Sequence, residues 1–144
     1  MISIISLLLD LLFNTFINRN SLFLPLFTLL SIIFIKRDDK YYLKVGLLGF
    51  IYDIIFTNFY ILNSFLFLIM GFIIFNYYKK YKYSIFSNII LSIIIIIIYQ
   101  FLLFIIYNVT KYNTINFNEF IFIIKHFFML NIIYVFIVSL FIKE

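Results

Sequence analysis

Cysteine is absent from this 144-residue sequence, and histidine occurs once, at position 126. Without cysteine the chain can form no disulfide, no thiolate nucleophile and no cysteine-based metal site, and a single histidine cannot build a histidine cluster. We therefore expect no metal ion and no other cofactor. His126 follows Lys125, and we interpret it as a polar packing contact rather than a catalytic group.

Catalytic sequence motifs are missing as well. The sequence contains no glycine-rich phosphate loop, no G-x-S-x-G nucleophile turn, no H-E-x-x-H zinc motif and no pair of acids at a catalytic spacing. These absences favour a non-catalytic protein.

Long hydrophobic segments dominate what is present. Hydrophobic residues make up 66% of the chain and the mean hydropathy is +1.18, whereas a soluble domain is roughly 45–50% apolar. The sequence predicts an all-α integral membrane protein, a compact bundle of about six transmembrane helices with short loops that forms one domain over residues 1–144. The segments are Met1–Ile17, Leu22–Ile35, Leu43–Phe59, Tyr60–Tyr78, Ile85–Val109 and Phe120–Ile142.

The first two segments differ from ordinary spans. Met1–Ile17 has no basic residue before its apolar run and no small-residue cleavage site after it, so we expect a retained helix rather than a signal peptide. Leu22–Ile35 covers only about 21 Å as a helix. It must therefore use flanking residues, thin the bilayer or be shielded by its neighbours. Pro25 is expected in its first turn.

Basic residues are concentrated in alternate connections. Seven of the eleven lie after the second and fourth segments: Lys36, Arg37, Lys40, Lys44, Lys79, Lys80 and Lys82. The other connections hold only Arg19 and Lys111. By the positive-inside rule we expect both lysine-rich loops and both termini to be cytoplasmic. The net charge of +5 then reflects topology, and we expect no nucleic-acid partner.

The stretch Gly46–Gly71 contains all three glycines and a carboxylate within a hydrophobic pattern. On a helix, five residues of this region fall within roughly 80° of one another: Tyr42, Gly46, Gly49, Asp53 and Thr57. Glycines on this face would let a neighbouring helix approach closely. A carboxylate in hydrocarbon must be paired, hydrogen-bonded or hydrated, so Asp53 is a candidate functional or packing residue.

The same region resembles a known family, MreD, the rod shape-determining membrane protein of bacteria. In that family a glycine-containing helix carries an aspartate and ends in a small or polar turn, before a helix bearing asparagine or histidine and glycine. The matching residues here are Gly49, Asp53, Thr57, Asn63 and Gly71. The resemblance implies a non-catalytic, multi-pass scaffold of the cell-elongation and peptidoglycan-synthesis machinery in the bacterial cytoplasmic (inner) membrane. It also implies an MreC-like single-span partner in the lipid bilayer, together with wall synthases and an MreB-like cytoskeleton.

Two other functions stay open. The substrate-binding S-component of an energy-coupling-factor vitamin transporter is also a small six-helix bundle, but such proteins dock through an Ala-x-x-x-Ala-like motif in the first helix. This chain has no alanine, and Ser3 and Ser6 have a different spacing. A small ion-coupled carrier would rest only on Asp10 and Asp53, since intramembrane carboxylates mark ion pathways. We favour a packing role for both.

Asp10 and Asp53 lie in similar sequence contexts. The run LDLLFNTF around Asp10 parallels YDIIFTNF around Asp53, which indicates either a parallel repeat or chance similarity in a chain of biased composition.

Lys125 is predicted at the membrane depth of Asp53, so the two could form an ion pair. In the other interpretation Asp53 accepts hydrogen bonds from Asn63 or a tyrosine. Gln100 is predicted to bond a neighbouring helix.

Overall fold

The computed structural model describes residues 1–17, 25–57, 61–111 and 116–142. Over these residues the chain forms α-helices and no strand, which confirms the predicted all-α membrane bundle. The helices are α1 (Ile2–Ile17), α2 (Phe27–Leu30), α3 (Tyr41–Phe56), α4 (Leu62–Lys80), α5 (Ile85–Thr110) and α6 (Phe117–Phe141). A 3-10 turn, Ser31–Phe34, continues α2.

Three of the described helices are long and apolar enough to cross a bilayer: α4 with 19 residues, α5 with 26 and α6 with 25. Helices α1 and α3 have 16 residues each, which corresponds to about 24 Å, somewhat less than the roughly 30 Å of the hydrocarbon core. Their outer faces are apolar, with Leu8 and Leu12 exposed on α1 and Leu47 and Ile54 exposed on α3. Such faces suit contact with lipid.

The predicted segments agree closely with these helices, apart from the second. The other five begin within three residues of α1, α3, α4, α5 and α6. Helix α6 begins earlier than predicted because Asn116 and Glu119 form a reciprocal capping box, in which Glu119 Oε2 accepts the N–H of Asn116 at 3.0 Å. The polar residues at the start of α6 therefore mark where the helix begins, but a search for apolar runs does not detect them.

Helices α3 and α4 form an antiparallel hairpin. Near its closed end, Asp53 on α3 meets Asn63 on α4, and near its open end the hydroxyl of Tyr41 donates to the carbonyl oxygen of Gly71 at 3.3 Å. The two helices are thus tied together along most of their length.

Helix α6 packs between α5 and α1. The rings of Phe104 on α5 and Phe120 on α6 pack with centroids 4.7 Å apart. On its other side α6 reaches α1, where Ser6 and Tyr134 share a hydrogen bond. Since α4 also contacts α5, the order of neighbours around the bundle is α1, α6, α5, α4 and α3.

Helix α2 and the 3-10 turn lie in the middle of this arrangement. Every residue from Leu26 to Ile33 is buried, and the segment contacts α1, α3, α4 and α6. The sequence predicted a span over Leu22–Ile35. The described helical part, eight residues, is about 14 Å long and is shielded by its neighbours. Pro25 lies two residues before α2, so its predicted place in the first turn was wrong.

The two lysine-rich connections meet at one end of the bundle. The guanidinium carbon of Arg37, before α3, lies 4.3 Å from the ring centroid of Tyr78 on α4 and 5.9 Å from that of Tyr83, before α5. Lys111 follows α5 and therefore lies at the opposite end. The alternation of basic loops in the sequence thus corresponds to the two ends of the fold.

Candidate functional site

Asp53 holds the start of α4 against the end of α3. Its side chain is buried, and within the described residues its carboxylate accepts four hydrogen bonds. Oδ2 accepts the backbone N–H groups of Asn63 at 2.8 Å and Ser64 at 3.1 Å. Oδ1 accepts Thr57 Oγ1 and Asn63 Nδ2, each at 2.8 Å. The first N–H groups of a helix lack intrahelical partners and carry positive partial charge, so they suit a buried carboxylate.

Gly49 allows this contact, because it lies one turn before Asp53 on the same face of α3. A methyl group on Gly49 would lie 2.6 Å from both the carbonyl oxygen of Asn63 and Cα of Ser64. The backbones of the two helices therefore touch at this point. Ser64 adds a further link, since its hydroxyl donates to the carbonyl oxygen of Gly46 at 2.9 Å.

The other two glycines have more space. A methyl group on Gly46 would lie 3.5 Å from the side chain of Leu68, an ordinary contact. On Gly71 it would lie 3.1 Å from Val45 Cγ1, a tighter contact with a side chain. Gly71 is near the open end of the hairpin and does not contribute to the surroundings of Asp53. The three glycines thus differ in how closely a neighbouring group approaches them.

The hydrogen bonds continue from Asp53 to α5. Asn63 Oδ1 accepts the hydroxyl of Tyr99 at 2.6 Å. Beside this bond lies a pocket of about 10 Å³, which Tyr52, Tyr99 and Gln100 help to line. A space of this size holds about one water molecule. Gln100 was predicted to bond a neighbouring helix, but among the described residues it makes no such bond and faces this pocket.

Asp10 holds the start of α2 in the same way. Its buried carboxylate on α1 accepts the backbone N–H of Phe27 at 3.3 Å and that of Thr28 at 2.8 Å. Asn131 on α6 accepts the N–H of Leu26 at 3.0 Å. Non-helical backbone at membrane depth is tolerated where protein groups satisfy it. These two side chains allow the short central helix to begin inside the bundle.

The two aspartates thus have matching roles. Each lies in the second half of its helix and binds two successive backbone N–H groups at the start of the next helix. The similarity of LDLLFNTF and YDIIFTNF therefore extends to the hydrogen bonds, which favours a repeat of helix pairs, α1 with α2 and α3 with α4. Both carboxylates thus accept backbone N–H groups of the following helix, and Asp53 also accepts two side-chain donors.

The structure does not bring Lys125 to Asp53. Lys125 is exposed on α6, and the donors around Asp53 come from α3 and α4. Of the two interpretations of Asp53, the structure shows the hydrogen bond from Asn63 and not the ion pair with Lys125. Nearby polar groups already compensate the carboxylate, while an exposed lysine can extend to the headgroups. The side chain of His126 and the residues Arg19 and Lys143 lie outside the described part of the chain.

Sequence analysis missed Ser64 and Asn131. Both are polar residues within hydrophobic segments, which is a signal that could have selected them. The groups that they bond, the carbonyl of Gly46 and the N–H of Leu26, belong to the backbone and leave no trace in the sequence.

Comparison with known proteins gives one finding. A family model described as rod shape-determining protein MreD matches residues 1–144, from the first residue of the chain to the last. The match therefore includes Asp10 and Asp53 with both helix pairs. No curated protein and no solved structure matches the chain.

Proposed function

Because this chain belongs to the MreD family of rod shape-determining membrane proteins, we propose that it is a non-catalytic scaffold of the bacterial cell-elongation machinery in the cytoplasmic membrane. The observation that carries this proposal is the family match over the whole chain. The structural roles of Asp10 and Asp53 support the proposal, since both buried carboxylates hold helices together. The pocket beside Asp53, at about 10 Å³, is far below the roughly 300–1,000 Å³ of small-molecule sites. The space beside Asp53 is therefore too small for a vitamin-sized ligand.

The partner that we propose is an MreC-like single-span protein, with wall synthases and an MreB-like cytoskeleton in the same assembly. A single-span partner meets a helical bundle within the bilayer, where packing of side chains drives association. The described helices offer exposed apolar faces for this contact, for example at Ile4 and Leu8 on α1 and at Ile133 and Phe136 on α6.

Copurification and depletion test the scaffold proposal together. An MreC-like protein from the same organism should copurify in mild detergent with the tagged chain, whereas an unrelated single-span protein expressed at the same level should not. Depletion of the chain should widen and round the cells, measured as the ratio of cell length to width. Unchanged cell shape, with no enrichment of the MreC-like protein over the control, would contradict the proposal.

We also propose that the end of the bundle with the lysine-rich connections faces the cytoplasm, because basic loops stay on that side. The chain has no cysteine, so single cysteines can be introduced without background. Cysteine at Asp38 or Lys80 should react only with reagents that reach the cytoplasm, whereas cysteine at Lys111 should already react with an impermeant reagent added outside. External labelling at Lys80 would reverse the orientation.

A further inference from the structure

Between the lysine-rich connections lies a hollow that the packing of Asp10 and Asp53 does not explain. It has a volume of about 240 Å³ and is formed by Arg37, Tyr78, Lys79, Lys80, Tyr81, Lys82 and Tyr83. We call it the basic hollow. Its lining carries four cationic side chains, three tyrosines and, among the described residues, no carboxylate.

The wall of the basic hollow is fixed by several elements. Arg37 stacks on Tyr78, and the Tyr78 hydroxyl donates to Asn88 Oδ1 on α5. Asn88 Nδ2 in turn donates to Ser139 Oγ on α6 at 2.9 Å. A cationic side chain that is held in place loses less conformational entropy when it binds an anion than a free one does.

The positive charge of the basic hollow comes largely from exposed lysines. Lys80 and Lys82 are exposed, and no ion pair to either is found among the described residues. Lys44 is different, because its Nζ lies 2.6 Å from Asp38 Oδ2. That hydrogen bond lowers the pKa of the Asp38 carboxyl below its ordinary value. The charge of Lys44 is thus compensated locally, whereas the exposed ammonium groups of Lys80 and Lys82 can attract an anion from outside.

The position of the basic hollow along the membrane normal indicates which kind of anion it binds. Lys79 and Lys80 are the last residues of α4, a helix long enough to span the bilayer, and α5 begins at Ile85. The hollow therefore lies where hydrocarbon gives way to headgroups. Tyr81 is exposed at this level, which suits an aromatic residue at the membrane interface. Phe86, in the first turn of α5, is 74% exposed and offers an apolar surface to an acyl chain.

From this geometry we propose that the basic hollow binds the headgroup phosphate of an anionic phospholipid. Basic pockets between transmembrane helices are suited to such headgroups. The proposal goes beyond the scaffold function and does not depend on it. An acidic protein segment would match the charge, but it would not supply an acyl chain to cover the apolar surface at Phe86.

Lipid retention on the purified full-length chain tests this proposal. Native mass spectrometry should show phosphatidylglycerol retained in preference to phosphatidylcholine. The double variant Lys80→Gln/Lys82→Gln should bind phosphatidylglycerol about 30-fold more weakly, since two basic contacts with an anionic headgroup are lost. Both side chains are exposed, so its melting temperature in phosphatidylcholine should equal that of the wild type; a lower value would contradict the surface role assigned to them.

The matched control is Lys36→Gln/Lys40→Gln, which removes the same charge from the same end of the bundle but outside the basic hollow. It should retain phosphatidylglycerol like the wild type. Equal losses in both double variants would mean that diffuse surface charge holds the lipid, and the proposal would fail. The proposal would also fail if Lys80→Gln/Lys82→Gln bound phosphatidylglycerol as tightly as the wild type does. An acidic protein segment would then be the remaining candidate ligand of the basic hollow. Stabilisation by inorganic phosphate as strong as that by the lipid would show a soluble anion to be the ligand instead.

Discussion

Gly49→Ala should sharply reduce the amount of folded, detergent-stable protein, while Gly46→Ala should leave it unchanged or raise it. At position 49 the added methyl would lie 2.6 Å from the Asn63 carbonyl oxygen and from Ser64 Cα. Both are backbone atoms, so no side-chain rotation relieves the clash, and α3 must move away from α4. Overpacking costs about 1–3 kcal/mol and sometimes more. We expect the upper end, because separation of the helices also stretches the bonds from Asn63 and Ser64 to Asp53.

Gly46 supplies the control on the same face of the same helix. There the methyl would meet only the flexible side chain of Leu68, at 3.5 Å, and alanine favours a helix over glycine by up to about 1 kcal/mol. Gly71→Ala should fall between the two. Melting temperatures from size-exclusion chromatography after heating measure the series. The larger change Gly49→Leu should be more damaging still, whereas Ile51→Leu on the exposed face should be neutral. If Gly49→Ala and Gly46→Ala were equally stable, the contact at Gly49 would not be as close as described.

The sequence could predict the helices but not the central position of α2. Apolar runs mark the segments because hydrocarbon and protein interior both select apolar residues. For the same reason, hydropathy cannot distinguish a lipid-facing helix from one enclosed by other helices. The short length of Leu22–Ile35 was the one available sign. Its polar groups, such as Thr28 and Ser31, were too few to show which neighbours surround it.

Around the aspartates, the sequence predicted that partners were needed but identified them only in part. Asn63 was named, with a tyrosine, as a candidate hydrogen-bond partner of Asp53. Asp10 instead bonds the backbone N–H groups of Phe27 and Thr28, and almost any residue type supplies such a group. Lys125 was chosen on depth alone. Counting residues along a span gives the depth of a side chain but not the direction in which it points around the bundle.

Asp53→Asn should destabilise the bundle by about 2–4 kcal/mol, because one buried donor loses its acceptor and charge-assisted bonds become ordinary ones. If the new amide oxygen faced the N–H groups of Asn63 and Ser64, its NH₂ group would face Thr57 Oγ1 and Asn63 Nδ2. The Thr57 hydroxyl can turn and accept. The Asn63 amide cannot reverse freely, since its Oδ1 already accepts the Tyr99 hydroxyl. In the opposite orientation the NH₂ group would face two backbone donors.

A pair of double-mutant cycles on melting temperature separates the two explanations of Asp53. In the hydrogen-bond explanation, Tyr99→Phe releases the Asn63 amide, which can then turn its oxygen toward the new NH₂ group. Asp53→Asn combined with Tyr99→Phe should therefore cost clearly less than the sum of the single changes. Lys125→Met should have little effect alone and should add to Asp53→Asn without coupling, because Lys125 is exposed. If Lys125→Met offset part of the loss while Tyr99→Phe did not, an ion pair between Asp53 and Lys125 would be the better account. The buried carboxylate would then be compensated by charge rather than by the first turn of α4.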